Sequence, residues 1–194
     1  MPLHGPIRKS IQGKPCCQTS FLVEQPVSMT NRARSVSPVV LMATCLSCAI
    51  VPANPIDTNP NVVSGQVAFE GLQTSNASIL QQSQQAIVDY NRFNLPEGSS
   101  VNFIQPNADA AILNRITGAD PSFLNGTINA NGQVYFVNPA GVTFGPDSVV
   151  RADMFMAIAG DMANSSFLRG EMNFLLGGTV ENQGYIEAQR GVAL

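Results

Sequence analysis

Short apolar runs separated by turn residues follow one another along the chain after residue 53, and this pattern predicts strands rather than helices. The clearest example is the pair of runs at residues 134–137 (VYFV) and 142–144 (VTF). The tetrapeptide between them has the residue order of a type I turn and consists of Asn138, Pro139, Ala140 and Gly141. Because Pro and Ala at its centre do not supply the positive φ of a hairpin turn, we expect the chain to turn a corner here without folding straight back.

The spacing of these runs predicts an all-β fold in which strands wind round a common axis. Apolar segments recur every seven or eight residues, at Val134, Val142, Val149 and then Met156 and Ile158. This spacing is typical of a parallel β-helix, a solenoid whose coils stack on one another, and an ordinary β-sandwich is the alternative. The residues expected in the core of the two motif strands are Val134, Phe136, Val142 and Phe144.

Further strands are predicted upstream of this pair. They cover residues 62–70, 78–82, 86–90, 101–105 and 111–116. A short helix that begins within residues 81–85 is the alternative for part of this region. In the run at 101–105, the odd-numbered residues are expected on one side and the even-numbered ones on the other. Asn102 and Asn114 are expected to join an asparagine row whose amides bond to neighbouring coils.

An internal repeat supports stacked coils. Residues 126–134 and 178–186 share the pattern G-T-[IV]-x-[AN]-[NQ]-G-x-[IV], which suggests two equivalent coil segments. Between them, residues 153–177 are rich in Met and Phe and interrupt the regular spacing. We expect this segment to cover an edge or side of the solenoid, and a hydrophobic docking face is the alternative. Residues 191–194 resemble the start of another strand, so we expect a domain truncated at its C-terminal end.

Length and charge narrow the function classes. The 194 residues suit one domain with a sizeable core, and only 12% of them are charged. Residues 54–194 hold twelve acidic residues, five arginines and no lysine, which gives a net charge of −7. Because phosphate binding needs clustered Lys and Arg, this balance argues against nucleic acid or an anionic membrane as the main partner.

The four cysteines and the single histidine all lie within the first 48 residues. They are His4, Cys16, Cys17, Cys45 and Cys48. The rest of the chain therefore contains no Cys or His nucleophile, no His general base and none of the usual His and Cys ligands of zinc. We predict no catalytic residues, no cofactor and no metal site in it.

Residues 29–53 have the parts of a secretion signal. Two arginines follow Met29, an apolar run covers residues 36–51, and small residues provide a cleavage site before Asn54. Because the apolar run is short and is interrupted by Ser and Pro, it is a poorer match to a transmembrane span. We therefore interpret residues 29–53 as a signal peptide.

Two other features of the N-terminal region have simple interpretations. Cys45 and Cys48 form a CxxC, but they lie inside the apolar run and have no second pair, so we interpret them as two small apolar residues of the signal. A lipoprotein cleavage before Cys48 is a minor alternative. Residues 1–28 lack periodicity and are interpreted as unstructured or as the result of placing the start at Met1 instead of Met29.

Residues 62–194 resemble the N-terminal two-partner secretion domain of filamentous-haemagglutinin-like exoproteins. Five segments carry the resemblance in order: VVSGQVAF, QQSQQAIVDYNRFNL, VNFIQPNADAAILNRITGADPS, NANGQVYFVNPAGVTFGPDSVV and GTVENQGYIEAQRGVAL. The resemblance implies a right-handed parallel β-helix with an N-terminal cap and extra-helical strands. We place this domain at residues 54–194.

The resemblance also implies a function in export by the type V route. The signal peptide would carry the chain across the inner membrane. An outer-membrane β-barrel transporter with periplasmic polypeptide-transport domains would then recognise the domain. The domain would be non-catalytic, would nucleate β-helix folding outside the cell, and would belong to a secreted or cell-surface exoprotein such as an adhesin. A host or cell-surface ligand would bind through a C-terminal region beyond residue 194.

The family's signature tetrapeptide, NPNG, is matched here at all but its third position. The resemblance implies that Asn138, Pro139, Ala140 and Gly141 contribute to transporter recognition and form the turn. Ala140 stands where the family has Asn; it fits a type I turn but lacks an amide that can bond locally. A recognition role for that amide therefore has no support in this chain.

A β-helical carbohydrate-binding or polysaccharide-active protein is the alternative function. An enzyme of this kind would use converging carboxylates. The candidate pairs are Asp147 with Asp153 and Glu181 with Glu187. Carbohydrate binding would use exposed aromatic rings, although aromatics on strands are more often core residues. The candidate aromatics are Tyr90, Tyr135 and Tyr185. The G-G-x-G-x-D repeats of calcium-binding solenoids are absent from the sequence.

Overall fold

A computed structural model describes residues 56–194. The predicted signal peptide at 29–53, residues 1–28, the four cysteines and His4 lie outside the described residues. The strands are β1 (Asn61–Ser64), β2 (Val67–Glu70), β3 (Asn76–Gln81), β4 (Gln85–Tyr90), β5 (Ser100–Ile104), β6 (Ala111–Ile116), β7 (Ser122–Leu124), β8 (Thr127–Ala130), β9 (Gln133–Val137), β10 (Val142–Phe144), β11 (Val149–Ile158), β12 (Gly160–Met162), β13 (Phe174–Leu176), β14 (Val180–Asn182) and β15 (Tyr185–Ala193). The single described helix is α1 (Asn164–Leu168).

The chain winds through three faces, each built from parallel strands of successive coils. The first face stacks β3, β5, β8 and the N-terminal parts of β11 and β15. The second stacks β4, β6, β9 and the C-terminal parts of β11 and β15. The third stacks β7, β10 and β14. The predicted right-handed parallel β-helix is confirmed, and the β-sandwich alternative is wrong.

Two antiparallel strands cap the first coil. β1 pairs with β4, and β2 pairs with β3, so each covers the edge of one face. The sequence predicted a single strand over residues 62–70, and this was wrong because Gly65 breaks it with φ +84°. A Cβ at Gly65 would lie 2.4 Å from the carbonyl oxygen of Gln85, so glycine is required where the cap crosses the corner.

The corner between β3 and β4 is also not helical, against the alternative considered for residues 81–85. The hydroxyl of Ser83 donates to the carbonyl oxygen of Gln85 at 2.7 Å and accepts from the backbone N–H of Gln66 at 3.0 Å. Of the described residues, none belongs to a helix with the length and apolar character that a membrane crossing requires.

The predicted alternation in β5 is confirmed. Val101, Phe103 and Gln105 are buried, whereas Ile104 is 52% exposed. On the outer side of the same face, Asn129 Nδ2 donates to Asn102 Oδ1 at 3.0 Å, which is the expected coil-to-coil amide bond.

Asn114 also bonds to its neighbours, but in a different row from Asn102. It lies on the second face and is fully buried. Its Oδ1 accepts from the hydroxyl of Tyr90 at 3.2 Å, and its Nδ2 donates to the carbonyl oxygen of Tyr135 at 3.2 Å. The expected asparagine row is therefore two separate sets of bonds on two faces.

The predicted repeat has the wrong register. Ile128 pairs with Val150, which pairs in turn with Ile186, so the coil position of Ile128 is shared by Ile186 and not by Val180. The structural equivalents are Gly126 and Gly184, which occupy the same corner of different coils. The sequence motif describes a glycine corner followed by a strand, and such corners occur more than once in each coil. For this reason the sequence alignment equated Gly126 with Gly178, which lies at a different corner.

The core has two parts. The inner core fills the β-helix, and its largest fully buried side chains include Tyr90, Phe93, Phe136, Phe144 and Phe155. A second cluster, here called the outer cluster, lies outside the second face and joins Ile87, Leu113, Tyr135, Val137, Met156 and Ile158 to Met162 and Phe167.

The outer cluster is covered by residues 159–178, here called the excursion. Its strands β12 and β13 pair antiparallel, and α1 lies between them. Arg115 ties it to the second face, since its Nε lies 3.1 Å from Asp161 Oδ1 and its Nη1 lies 3.4 Å from Asp89 Oδ1. The expectation that this segment covers a side of the solenoid is confirmed. Its predicted start at 153 was wrong, because residues 153–158 complete β11.

We predict that Phe136→Ala will destabilise the domain far more than Phe123→Ala. Phe136 is 1% exposed and its ring lies 5.0 Å from that of Phe93, whereas Phe123 is 49% exposed. Loss of a buried Phe costs about 3–5 kcal/mol, while surface substitutions usually stay within about 0.5 kcal/mol. Urea unfolding of the purified variants measures both values. Equal losses would contradict the inward position of Phe136.

Candidate functional site

The tetrapeptide 138–141 forms the corner between β9 on the second face and β10 on the third. The N–H of Gly141 donates to the carbonyl oxygen of Asn138 at 3.1 Å, as a type I turn requires. The side chain of Asn138 reinforces the turn, because its Oδ1 accepts from the N–H of Ala140 at 2.9 Å. The chain therefore turns from one face to the next and does not fold straight back.

Asn138 also joins this corner to that of the preceding coil. Its side chain is fully buried, and its Nδ2 donates to the carbonyl oxygen of Asp120 at 3.1 Å and to Ser122 Oγ at 3.0 Å. The backbone adds a further bond, from the N–H of Ser122 to the carbonyl oxygen of Gly141 at 3.0 Å. Asn138 thus provides hydrogen-bond partners for polar groups of two coils. An apolar residue of the same size would leave these groups without partners and lower the free energy of unfolding.

Gly141 makes the contact with the corner of the following coil. Its φ is +122°, and a Cβ there would lie 3.1 Å from the carbonyl oxygen of Thr179. The N–H of Val142 donates to this same oxygen at 3.0 Å. Gly178 approaches more closely, since a Cβ on it would lie 2.8 Å from the carbonyl oxygen of Pro139. Glycine is therefore favoured at 141 by its positive φ and at 178 by the close approach.

Accessibility divides the four residues of the tetrapeptide. Asn138 and Gly141 are buried, Ala140 is half-buried and Pro139 is exposed. A partner protein can therefore touch the ring of Pro139 and part of Ala140. The sequence did not identify Asp120, Ser122 or Gly178 as members of this corner, although residues 119–122 and 177–179 both have turn composition.

The four residues expected in the core of the motif strands all face the inner core. Val134, Phe136, Val142 and Phe144 are each at most 1% exposed. The residues that alternate with them in β9 are Tyr135 and Val137, and these belong to the outer cluster. Both sides of β9 are therefore packed, which explains why its run is apolar throughout instead of alternating.

The carboxylates proposed for an enzyme do not form one site. Asp153 is buried and its Oδ2 bonds to Arg190, whereas the exposed Asp147 accepts a hydrogen bond from Asn125 Nδ2 at 3.2 Å. Glu181 and Glu187 lie on the exposed surfaces of β14 and β15. Within residues 56–194, no three His, Cys, Asp or Glu side chains converge in a way that could hold a metal ion.

The candidate aromatics are mostly core residues. Tyr90 and Tyr135 are 0% and 4% exposed, and burial raises the pKa of both phenols, although the charge of Arg190 opposes the shift at Tyr135. Tyr185 is 55% exposed on the first face. Tyr185 is thus the one candidate whose ring is largely free to contact a ligand.

Comparison with known proteins identifies the family. Residues 54–190 match the family described as "TPS secretion domain". The chain belongs to this two-partner secretion (TPS) domain family. The TPS domain match covers the capped β-helix and includes the corner at 138–141.

A solved structure and two curated relatives support this TPS assignment. The HMW1 secretion domain from Haemophilus influenzae superposes with a TM-score of 0.61 at 27% identity, covering 66% of this chain and 35% of that one. A heme/hemopexin-binding protein of Haemophilus influenzae is 28% identical over 132 residues, and the protein of that name in strain Rd is 28% identical over 108 residues. These matches span 68% and 56% of this chain but only 14% and 12% of the relatives.

We predict that Gly141→Ala will destabilise this TPS domain and that Gly177→Ala will not. At Gly141 the positive φ strains any side chain, at a cost of about 1–3 kcal/mol. At Gly177, in the facing corner, a Cβ would make only an ordinary contact of 3.8 Å with the carbonyl oxygen of Pro139. Thermal unfolding compares the two variants. A native melting temperature for Gly141→Ala would show that the corner relaxes freely.

Proposed function

We propose that residues 54–194 are the part of an exported exoprotein that an outer-membrane transporter recognises in the periplasm, and that they nucleate β-helix folding outside the cell. The TPS domain match over residues 54–190 is the observation that carries this proposal. TPS secretion domains are a non-catalytic family, and the separated carboxylates agree with a recognition role.

The composition and topology suit a chain that crosses a pore before it folds. After Cys48 the sequence contains no cysteine, so oxidation in the periplasm cannot close a loop within residues 49–194. Each coil pairs only with its neighbours, from the capped first coil to β15. Such a fold can grow one coil at a time as the chain emerges, and neighbour contacts alone supply the stabilisation.

The recognition element we assign is the corner at 138–141. Pro139 is its exposed residue and would contact the transporter directly, with Ala140 at the edge of the contact. Asn138 and Gly141 are buried and would act by holding the corner in shape. Their substitution is therefore expected to impair export through folding, whereas substitution of Pro139 acts on the contact itself.

The proposed route also covers the segments around the domain. We propose that residues 29–53 direct the chain across the inner membrane and that the protein reaches the cell surface or the medium. An adhesin role follows from the resemblance to filamentous haemagglutinins and is proposed for the exported protein as a whole. The names of the relatives describe heme/hemopexin binding for those proteins.

We predict that export depends on a TPS transporter. The chain is co-expressed in a Gram-negative host with a TPS transporter gene taken from the same gene neighbourhood, and with a transporter whose periplasmic domains are deleted as the control. The expected result is accumulation in the medium only with the intact transporter. Accumulation in the periplasm in both cases, with the domain folded and protease-resistant, would contradict the proposal.

We predict that Pro139→Ala will reduce this export and that Pro146→Ala will not. Pro146 is a matched control, because it is also exposed and also follows the first residue of a turn closed by an i to i+3 bond, from Ser148 N–H to the carbonyl oxygen of Gly145 at 3.1 Å. Either change alters stability by at most about 1 kcal/mol. A lost contact worth about 1.4 kcal/mol would weaken transporter binding roughly tenfold.

The two proline variants are compared by the rate of appearance in the medium and by binding to the purified periplasmic domains of the transporter. Equal export of both variants and of the wild type would remove Pro139 from the recognition element. A reduced melting temperature of Pro139→Ala alone would assign its effect to folding.

A further inference from the structure

A small cavity lies between the second face of the β-helix and the excursion. Its volume is about 230 Å³. Strands β4, β6 and β9 line one side of it, and Met162, α1 and the loop after α1 line the other. Sites for drug-sized ligands usually measure about 300–1,000 Å³, so an occupant of this cavity has to be smaller.

The cavity exists because a small residue stands between two long ones. Gln85, Ala111 and Gln133 are register partners in three successive coils and form one row on the outer side of the second face. Ala111 leaves a gap in this row, and Phe167 of α1 and Met162 of β12 cover the gap from the excursion side.

One part of the cavity wall is apolar. Ala111, Met162, Phe167 and Met172 contribute it, and Tyr135 packs edge-to-face on Phe167 with the ring centroids 5.3 Å apart. Apolar walls with an aromatic side chain suit a ligand that has a flat C–H surface.

The Gln84 amide at the cavity is bonded to Asn107 at 3.0 and 3.2 Å, whereas the other uncharged polar side chains are only weakly engaged. The hydroxyl of Tyr135 donates to Gln133 Oε1 at 3.3 Å, and Gln133 Nε2 donates to the carbonyl oxygen of Asp109 at 3.5 Å. Both distances are at or beyond the long end of the hydrogen-bond range. Gln85 places a further amide at the half-buried end of the row. A ligand can therefore exchange these long bonds for shorter ones.

The charges at the rim of the cavity are balanced. Asp109 and Glu171 are the two carboxylates that line it. Asp109 Oδ1 lies 2.7 Å from Arg190 Nη1, and Glu171 Oε1 lies 2.7 Å from Arg169 Nε. An anionic ligand would meet two carboxylates, and a cationic ligand would have to compete with two arginines. The site therefore favours a neutral ligand.

We propose that this cavity binds a neutral pyranose ring, so that the domain carries a monosaccharide site on its second face. An amide both donates and accepts, as a sugar hydroxyl does, and the Gln85, Gln133 and Tyr135 groups can bond to adjacent hydroxyls of one ring. The C–H face of the ring packs on Met172, which is 47% exposed, beside the small accessible parts of Ala111 and Phe167. The site is distinct from the corner at 138–141, and it functions without the transporter.

The test is a heteronuclear NMR titration of the purified protein with D-glucose, D-galactose and D-mannose. At least one of these hexoses is expected to produce saturable shifts at the backbone amides of Ala111 and Gln133 in the millimolar range. The anionic N-acetylneuraminic acid is expected to produce none. The absence of saturable shifts with all three hexoses, or tighter binding of the anionic sugar, would overturn the proposal.

Three variants locate the binding in the cavity. Ala111→Leu fills the gap in the row and is expected to abolish the shifts. Gln85→Ala is expected to weaken binding roughly fivefold, the effect of one net hydrogen bond. Gln82→Ala is the matched control, because Gln82 is an exposed neighbour that does not line the cavity.

Fold and binding are separated by melting each variant before titration. If Ala111→Leu fails to fold, the double variant Gln85→Ala with Gln133→Ala takes its place, since it keeps the apolar packing and removes both amides. Undiminished binding in Ala111→Leu, or an equal loss in Gln82→Ala and Gln85→Ala, would place the sugar elsewhere and overturn the site.

Discussion

Every corner of this β-helix has to fit between neighbouring coils that are only about 4.8 Å apart. A Cβ on Gly126 or Gly184 would lie 2.5 or 2.6 Å from a backbone carbonyl oxygen of the coil before it, and one on Gly178 would lie 2.8 Å from the carbonyl oxygen of Pro139. The strands themselves need only ordinary apolar residues. At these three positions, the stacking of one coil on the next therefore depends on a residue that carries no side chain at the point of contact.

Side-chain amides provide hydrogen-bond partners for the backbone and side-chain polar groups that the corners leave unpaired. Gln105 Nε2 donates to Gln81 Oε1 and to the carbonyl oxygen of Ala110, both at 2.9 Å, and Asn138 bonds in the same way to the coil below it. A buried polar group without a partner costs about 1–3 kcal/mol. Because an amide bonds without a net charge, Gln105 and Asn138 join neighbouring coils without a charged side chain.

The two motif strands and the buried side of each followed from short-range pattern, and for this reason Val134 and Phe136 could be assigned to a core from the sequence. The register between coils could not be predicted, because it depends on which corners stack on one another. Gly126 and Gly184 occupy the same corner of different coils, and no local sequence pattern encodes an equivalence over that distance in sequence. The cavity over Ala111 could not be predicted from the sequence either, because it is formed jointly by the row of residues from three coils and by the excursion.

The burial of Asn138 and Gly141 limits what a partner can contact at the corner 138–141. These two residues are buried and cannot contact a partner. The Asn138 side chain forms its hydrogen bonds within the domain, and Gly141 packs against the carbonyl oxygen of Thr179. The N–H of Ala140 is already bonded to Asn138 Oδ1, so the turn closes without an amide at the third position. A partner that contacts this corner would meet its shape and the ring of Pro139, because no charged side chain belongs to the tetrapeptide. If a partner recognises this corner by its shape, the corner has to be folded, and the stability of the coils is then a condition for recognition.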